Sequence, residues 1–230
     1  MIDFHYWPTP NGWKVAIMLE ECGLDYRMIP VNISRGEQFR PEFLAISPNN
    51  RMPAIVDHAP PAAYGAGAVS VFESGAILAY LAERTGRFMP ADPRGRLAAQ
   101  EWLFWQAANQ GPMAGQLSHF VNYAPEGEKD GYASELYVGE YVRLLGVLER
   151  RLEGRDYILG DYSVADMMAW PWVLIAKAMD VALDDHPRVS DWRARVKERP
   201  AVQRAVNLGK EHRRKAPPTD EERKILFNQR

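Results

Sequence analysis

The chain has 230 residues, 47% hydrophobic and 25% charged, with a formal net charge of −2, an ordinary globular composition for one large domain or two small ones. That charge leaves no basic footprint for nucleic acid, no run reaches the apolar length of a membrane span, and Met1-Ile2-Asp3-Phe4-His5 does not begin a signal peptide. Cys22 is the only cysteine, so a disulfide framework, a zinc cluster and a Cys-x-x-Cys pair are excluded within one chain, and a cytoplasmic location is expected.

In chain order, Ile2, Phe4 and Tyr6 alternate with Asp3 and His5 as in a half-buried strand. Thr9-Pro10-Asn11-Gly12 then opens a helix, with Thr9 or Asn11 as its cap. Val15, Met18, Leu19 and Cys22 share one helix face, and Gly23 closes it. Cys22 is therefore expected in the core rather than as a nucleophile. Tyr26–Val31 reads as a second strand, with Pro30 marking a sheet edge, and the three elements make a right-handed βαβ unit. Ser34–Arg40 is a polar loop and Pro41–Leu44 one helical turn. Ala54–Asp57 and Val69–Phe72 are the next strands, joined by a loop carrying Pro60, Pro61, Gly65 and Gly67.

The last of these strands runs into Glu73-Ser74-Gly75 and a helix with Ile77, Leu78 and Leu81 on its apolar face, stopped by Gly86. Ser74 can cap this helix, whose free amides suit a carboxylate or phosphate. Glu73 adds a negative charge beside that anion site, an arrangement suited to the α-amino-acid end of a peptide. The same residues also fit a plain cap beside an exposed glutamate. Residues 1–87 thus read as a small α/β layer, βαβ-ββα, about four strands wide.

Phe88–Pro93 reads as a linker with two prolines. Residues 94–207 read as all-helical. A long helix covers Leu97–Phe120, with a kink at Gly111-Pro112, and the loop Asn122–Asp130 follows. Tyr137, Tyr141, Leu144, Leu148 and Leu152 stripe a second long helix. Ser163 and Asp166 form a capping-box variant, with Tyr162 and Met167 as a staple. Pro187–Lys197 and Pro200–Val206 also fit helices. Residues 208–230 are a charged, solvated tail, with Ile225-Leu226-Phe227 as the one apolar patch able to dock it.

An α/β layer, a proline linker and an all-helical region with a Ser-x-x-Asp cap resemble the cytosolic glutathione transferases over the chain up to about residue 207. The segments Asn50-Arg51-Met52-Pro53-Ala54-Ile55, Phe72-Glu73-Ser74-Gly75-Ala76-Ile77 and Asp161-Tyr162-Ser163-Val164-Ala165-Asp166 carry the likeness by their order and spacing. Pro8-Thr9-Pro10-Asn11-Gly12, Gln38–Asn50 and Trp102–Gln116 are similar to a narrower group, the bacterial Nu-class glutathione-dependent disulfide-bond oxidoreductases.

This resemblance implies a thioredoxin-like first domain, glutathione as bound co-substrate, no metal, and a cytoplasmic homodimer. It implies that Pro53 is a cis-proline after Met52, whose backbone pairs with the cysteinyl unit as a strand would. Glu73 would take the γ-glutamyl ammonium, Ser74 its carboxylate, and Gln38 would lie along the glycyl arm. Thr9 and Asn11 would face the sulfur. Hydrogen bonds from both, with the positive helix end, would favour the thiolate over a thiol of ordinary pKa near 8.5. With no local cysteine, the exchanging sulfurs come from glutathione and substrate, so the expected reaction is reduction of a disulfide by glutathione. Conjugation or peroxide reduction by the same thiolate, and a non-catalytic glutathione-binding regulator, are the rivals.

Other residues have plainer readings. Tyr6 is expected to be structural, the five histidines have no ligand-like spacing, and Arg40 and Arg51 are expected in solvent or at the glycyl carboxylate. Trp102, Phe104 and Trp105 are helix core, a pocket wall or a dimer seam. One departure weakens the expectation of a second glutathione. The narrower group carries an arginine near the start of the second long helix, where this chain reads Gly131-Tyr132-Ala133-Ser134-Glu135-Leu136, with no arginine before Arg143.

Overall fold

The computed structural model describes residues 1–125, 127, 129, 131–214 and 216–227. Parts of the expected loop Asn122–Asp130 and of the expected tail (126, 128, 130, 215 and 228–230) lie outside the described residues. In chain order the elements are β1 (Ile2–Tyr6), α1 (Pro10–Cys22), β2 (Tyr26–Pro30), α2 (Pro41–Leu44), β3 (Ala54–Asp57), β4 (Val69–Phe72), α3 (Ser74–Thr85), α4 (Pro93–Trp105), α5 (Gly111–Asn122), α6 (Tyr132–Arg151), α7 (Val164–Leu174), α8 (Pro187–Lys197), α9 (Pro200–Asn207) and α10 (Asp220–Phe227). They form two compact units, Met1–Arg87 with Pro200–Arg230, and Phe88–Arg199.

The first unit is thioredoxin-like. Its sheet has the order β2-β1-β3-β4, with β1 parallel to β2 and antiparallel to β3, and β3 antiparallel to β4. Pro30 falls on an edge strand, where its missing N–H breaks no inner ladder. Ile2, Phe4 and Tyr6 are buried as expected. Asp3, expected at a solvated position, is buried as well. Arg27 donates to both its oxygens at 2.9 and 2.8 Å, and this guanidinium holds the Asp3 carboxyl down at about 2.

Val15 to Leu19 of α1 are fully buried, and Gly23 ends the helix in the left-handed conformation. A β-carbon at Gly12 would run into the Trp7 carbonyl and stand 2.8 Å from the Tyr6 ring, so only glycine lets α1 start this close to β1. The segment after residue 199 differs from its expected place. Val202 and Ala205 of α9 are fully buried and the helix packs on α1, with Arg204 paired to Glu20 at 2.6 Å.

The chain end is a helix, α10, packed on the 3-10 turn Ile33–Arg35, rather than a solvated tail. Its start explains why. Glu222 accepts from the Thr219 N–H at 2.8 Å and donates its own N–H to the Thr219 hydroxyl at 3.2 Å, a reciprocal cap for the first turn. Ile225 and Leu226 are half-buried there, while Phe227 stays exposed.

The second unit is helical. The break expected at Gly111-Pro112 is a π-turn over Gln106–Gln110 immediately before it. Widening the turn removes the need for the Pro112 N–H and relieves its ring against the preceding carbonyls. Tyr141, Leu144, Leu148 and Leu152 are buried as the stripe requires. Helix α7 is buried from Val164 to Val173 and sits at the centre of this unit. Its capping box is present: Ser163 Oγ accepts from Ala165 N–H at 3.3 Å, and Asp166 accepts from Ser163 N–H at 3.0 Å. Asp166 also accepts from Ile158 N–H at 3.0 Å and Trp192 Nε1–H at 2.8 Å, so it ties three segments together. No helix of the described residues is long and apolar enough to cross a membrane.

Candidate active site

Strand register brings the candidate residues to one edge of the first unit's sheet. Tyr6 pairs with Pro30, His5 with Ala54, and Ala54 with Phe72. The chain therefore leaves β1 toward Thr9, leaves β2 toward Gln38, enters β3 from Met52-Pro53 and leaves β4 into Glu73-Ser74, all at that edge.

Thr9 is the N-cap of α1, with extended backbone (φ −123°, ψ 162°). Its Oγ1 accepts from Gly12 N–H at 3.3 Å and donates toward Met52 Sδ at 3.6 Å. A hydroxyl has one proton to give, and accepting from Gly12 leaves that proton free to point outward. The thioether is a weak acceptor, one that a thiolate would outcompete. Asn11 is half-buried in the first turn of α1.

Met52-Pro53 is a cis peptide, as the resemblance implied. Met52 packs on the buried cluster of Val31, Phe43 and Ala54, and Ser47 steadies the loop by donating to the Arg51 carbonyl at 2.7 Å. Gln38 is 4% exposed and donates through Nε2 to the Ile33 carbonyl at 3.1 Å. Its Oε1 is buried without a hydrogen bond among the described residues, so one face of that amide still has acceptor capacity.

The start of α3 corrects one expectation. Glu73, not Ser74, occupies the cap position, with left-handed φ of 66° and no side-chain cap hydrogen bond, and Ser74 is the first helical residue. The Glu73 carbonyl accepts from Ile77 N–H at 2.9 Å, the first backbone bond of the helix. Glu73 is exposed and Ser74 buried. Lys14 escaped the sequence reading. It is 2% exposed in α1, where burial pushes its ammonium down to about 7 and the charge of Glu73 pulls it back up. Its signal was a lysine inside the eight-residue buried run Gly12–Leu19.

Cys22 lies thirteen residues after Thr9 at the far end of α1, about 20 Å along the axis. It is half-buried against Met18 Sδ at 4.0 Å and Thr85 Oγ1 at 3.6 Å, and burial pushes its thiol up. That is the setting of an inert thiol. Tyr6 donates to the Leu208 carbonyl at 3.1 Å, and burial pushes its phenol up as well, so it is structural. Arg40 is exposed and paired with Glu37 at 3.1 Å. Phe104 is 73% exposed, so of the aromatic cluster only Trp102 and Trp105 pack together, with ring centroids 5.0 Å apart. Among the described residues no group of three or more His, Cys, Asp or Glu side chains could hold a metal ion.

Residues 1–83 match the model of the glutathione S-transferase N-terminal domain, and residues 131–195 that of the C-terminal domain. The chain is 49% identical over 207 residues to the disulfide-bond oxidoreductase YfcG of Escherichia coli, an alignment covering 90% of this chain and 94% of that one. It is 40% identical over 212 residues to the disulfide-bond oxidoreductase YghU of the same organism, covering 85% and 70%. A glutathione transferase from Burkholderia graminis, solved with two glutathione molecules bound per subunit, superposes with a TM-score of 0.86 at 44% identity, covering 91% and 88% of the two chains. Another from Pseudomonas putida, solved with one glutathione disulfide per subunit, gives 0.86 at 40% identity, covering 90% and 91%. The thioredoxin-like sheet, the cis-proline beside the capped start of α1 and these likenesses converge: the chain belongs to the glutathione S-transferase family.

Proposed function

We propose that this protein is a glutathione-dependent disulfide-bond oxidoreductase in which no protein cysteine takes part. The observation that carries the reading is the Thr9 hydroxyl, which caps α1 by accepting from Gly12 N–H and aims its proton at the sulfur of Met52 beside cis-Pro53. A glutathione whose cysteinyl unit pairs with the Met52 backbone brings its sulfur to that proton. Thr9, Asn11 and the positive end of α1 then stabilise the thiolate. Glu73 receives the γ-glutamyl ammonium, Ser74 and the first amides of α3 its carboxylate, and Gln38 lies along the glycyl arm.

The chemistry follows in two balanced exchanges. The bound thiolate attacks one sulfur of the substrate disulfide, forms a mixed disulfide and expels the other sulfur as a thiolate, which takes up a proton. A second glutathione thiolate attacks the glutathione sulfur of that mixed disulfide, giving glutathione disulfide and the second substrate thiolate, which takes up a proton in turn. The relatives named as disulfide-bond oxidoreductases, and the relative solved with glutathione disulfide, support this order of events. The relatives solved with two glutathiones per subunit support room for the second one. In this chain the region where the sequence lacks an early arginine offers Arg143, which is already held by Glu140 at 2.8 and 2.7 Å. Exposed apolar side chains on the helical unit, among them Leu97, Phe104 and Leu136, support a homodimer.

The test is an assay panel of glutathione with a small disulfide, an aryl halide and a hydroperoxide. Turnover of the disulfide is expected. Turnover of the aryl halide alone would assign a conjugating transferase instead, and glutathione binding without any turnover a regulatory module.

A further inference from the structure

The chain end runs past two of the loops that carry the glutathione groove and is clasped to each. After α9, Gly209 turns with φ of 59°, and a β-carbon there would stand 3.2 Å from the Tyr6 ring. The turn is closed by the Tyr6 hydroxyl donating to the Leu208 carbonyl at 3.1 Å. Three residues on, the His212 ring stacks on Trp7, with centroids 5.3 Å apart and planes 20° from parallel. Arg214 then spans two partners, donating through Nη2 to Ser34 Oγ at 2.6 Å and through Nη1 to Glu222 Oε2 at 2.8 Å. Glu222 is itself fixed by the Thr219 cap of α10.

Each clasp lands beside a groove residue and on neither one directly. Trp7 is two residues before Thr9, in the short connection between β1 and α1. Ser34 lies in the turn Ile33–Arg35, whose Ile33 carbonyl is the hydrogen-bond partner of Gln38. Geometry of this kind governs rate and affinity steeply, because a shift of about 1 Å in a reacting group can cost on the order of a hundredfold.

We propose that residues 208–214, with α10, brace two loops of the glutathione groove, with His212 and Arg214 as positioning residues of separable effect. His212, through Trp7, fixes the connection that aims the Thr9 hydroxyl at the glutathione sulfur. Arg214, through Ser34, fixes the turn that holds Gln38 against the glycyl arm. The assignment rests on the roles given above to Thr9 and Gln38. The His212 contact is a ring-on-ring stack, so a phenyl ring can replace it. The Arg214 contact uses two nitrogens of one planar fork, which a lysine cannot reproduce.

The experiment compares wild type with His212→Ala, His212→Phe, Arg214→Ala and Arg214→Lys in disulfide turnover, with glutathione binding followed by intrinsic tryptophan fluorescence and folding by thermal melting. For His212→Ala, kcat is expected to fall about tenfold with KM for glutathione within about twofold, and His212→Phe to restore most of it. Arg214→Ala is expected to raise KM for glutathione about tenfold with kcat within about twofold, and Arg214→Lys to recover only part. The glutathione-dependent fluorescence change should differ in His212→Ala, because Trp7 loses its stacking partner. Folded variants that leave both constants unchanged, move both together, or show His212→Phe as damaging as His212→Ala overturn the bracing role while wild type still turns over disulfide. Wild type that neither binds glutathione nor turns over disulfide overturns the underlying function as well.

Discussion

At the scale of single residues, the proposed site assigns each group one task and a neighbour that holds it in place. Thr9→Ala removes both the cap of α1 and the donor aimed at sulfur. A hydrogen bond to a charged group contributes about 1.5–3 kcal/mol, so kcat/KM should fall about tenfold to a hundredfold, with Thr9→Ser retaining most activity. Steady-state kinetics check this. An unchanged rate in Thr9→Ala would remove Thr9 from the chemistry. Cys22→Ala should leave turnover unchanged, since its thiol is pushed up by burial at the opposite end of the helix. Lys14 gives a prediction of a different kind. Its folded-state value near 7 lies below the ordinary value near 10.4, so above about pH 7 the unfolded chain holds more protons than the folded one. Stability should therefore rise between about pH 7 and pH 10 by up to about 1.4 kcal/mol per pH unit from this group, and the penalty is complete below pH 7. Lys14→Met should flatten that rise when urea unfolding is followed from pH 7 to 9. Parallel curves for the two proteins would show that burial of Lys14 costs nothing.

At the scale of elements, caps were the most legible features, because a cap is a short pattern whose chemistry is local. Gly23 and the Ser163–Asp166 box stand where the sequence put them, and of the two caps it offered for α1, Thr9 is the one used. Ser74 did not cap α3, because Glu73 enters the helix in a left-handed conformation that one glutamate does not announce. Thr219 and Glu222 have capping-box spacing, but the run of charge around them masked a helix whose apolar side is only Ile225 and Leu226. The π-turn was legible only as a break at Pro112, since widening of the preceding turn is decided by packing. Asp166 permits a firm expectation. Its carboxylate, which burial pushes up to about 6, is the acceptor for Ile158 N–H, Ser163 N–H and Trp192 Nε1–H in a buried setting. Each donor left unpaired costs about 1–3 kcal/mol, and the three share one relaxation, so Asp166→Ala should lose about 3 kcal/mol or more in urea unfolding. A loss below about 1 kcal/mol would mean that water replaces the carboxylate at no net cost.

At the scale of the whole molecule, the order of strands and helices was readable from periodicity, and the edge gathering Thr9, Gln38, Pro53 and Glu73 followed from that order. What periodicity could not supply was long-range return, which is why α9 against α1 and the chain end against Trp7 emerged only in three dimensions. The proposed homodimer belongs to this scale. Leu97 and Phe104 lie seven residues apart on α4, on one face of the helix, and are 58% and 73% exposed, while Ala99 and Leu103 face inward. On α6, Tyr132 and Leu136 are four residues apart and 81% and 51% exposed. Isolated apolar side chains on a surface need no explanation, but exposed apolar pairs repeated along one helix are what a homodimer of this chain would cover. A stable dimer covers about 800 Å² per partner, with its strongest contributions from central aromatic residues, and Phe104 is the most exposed apolar side chain of α4. In such a homodimer Phe104→Glu would bring a charge from α4 into the contact, and Tyr132→Glu one from α6. Sedimentation equilibrium at micromolar concentration should give wild type about twice the mass of either variant. The thermal midpoint of the variants should lose the concentration dependence expected of a dimer. Wild type at monomer mass across that range would leave these rows without a second copy to cover them.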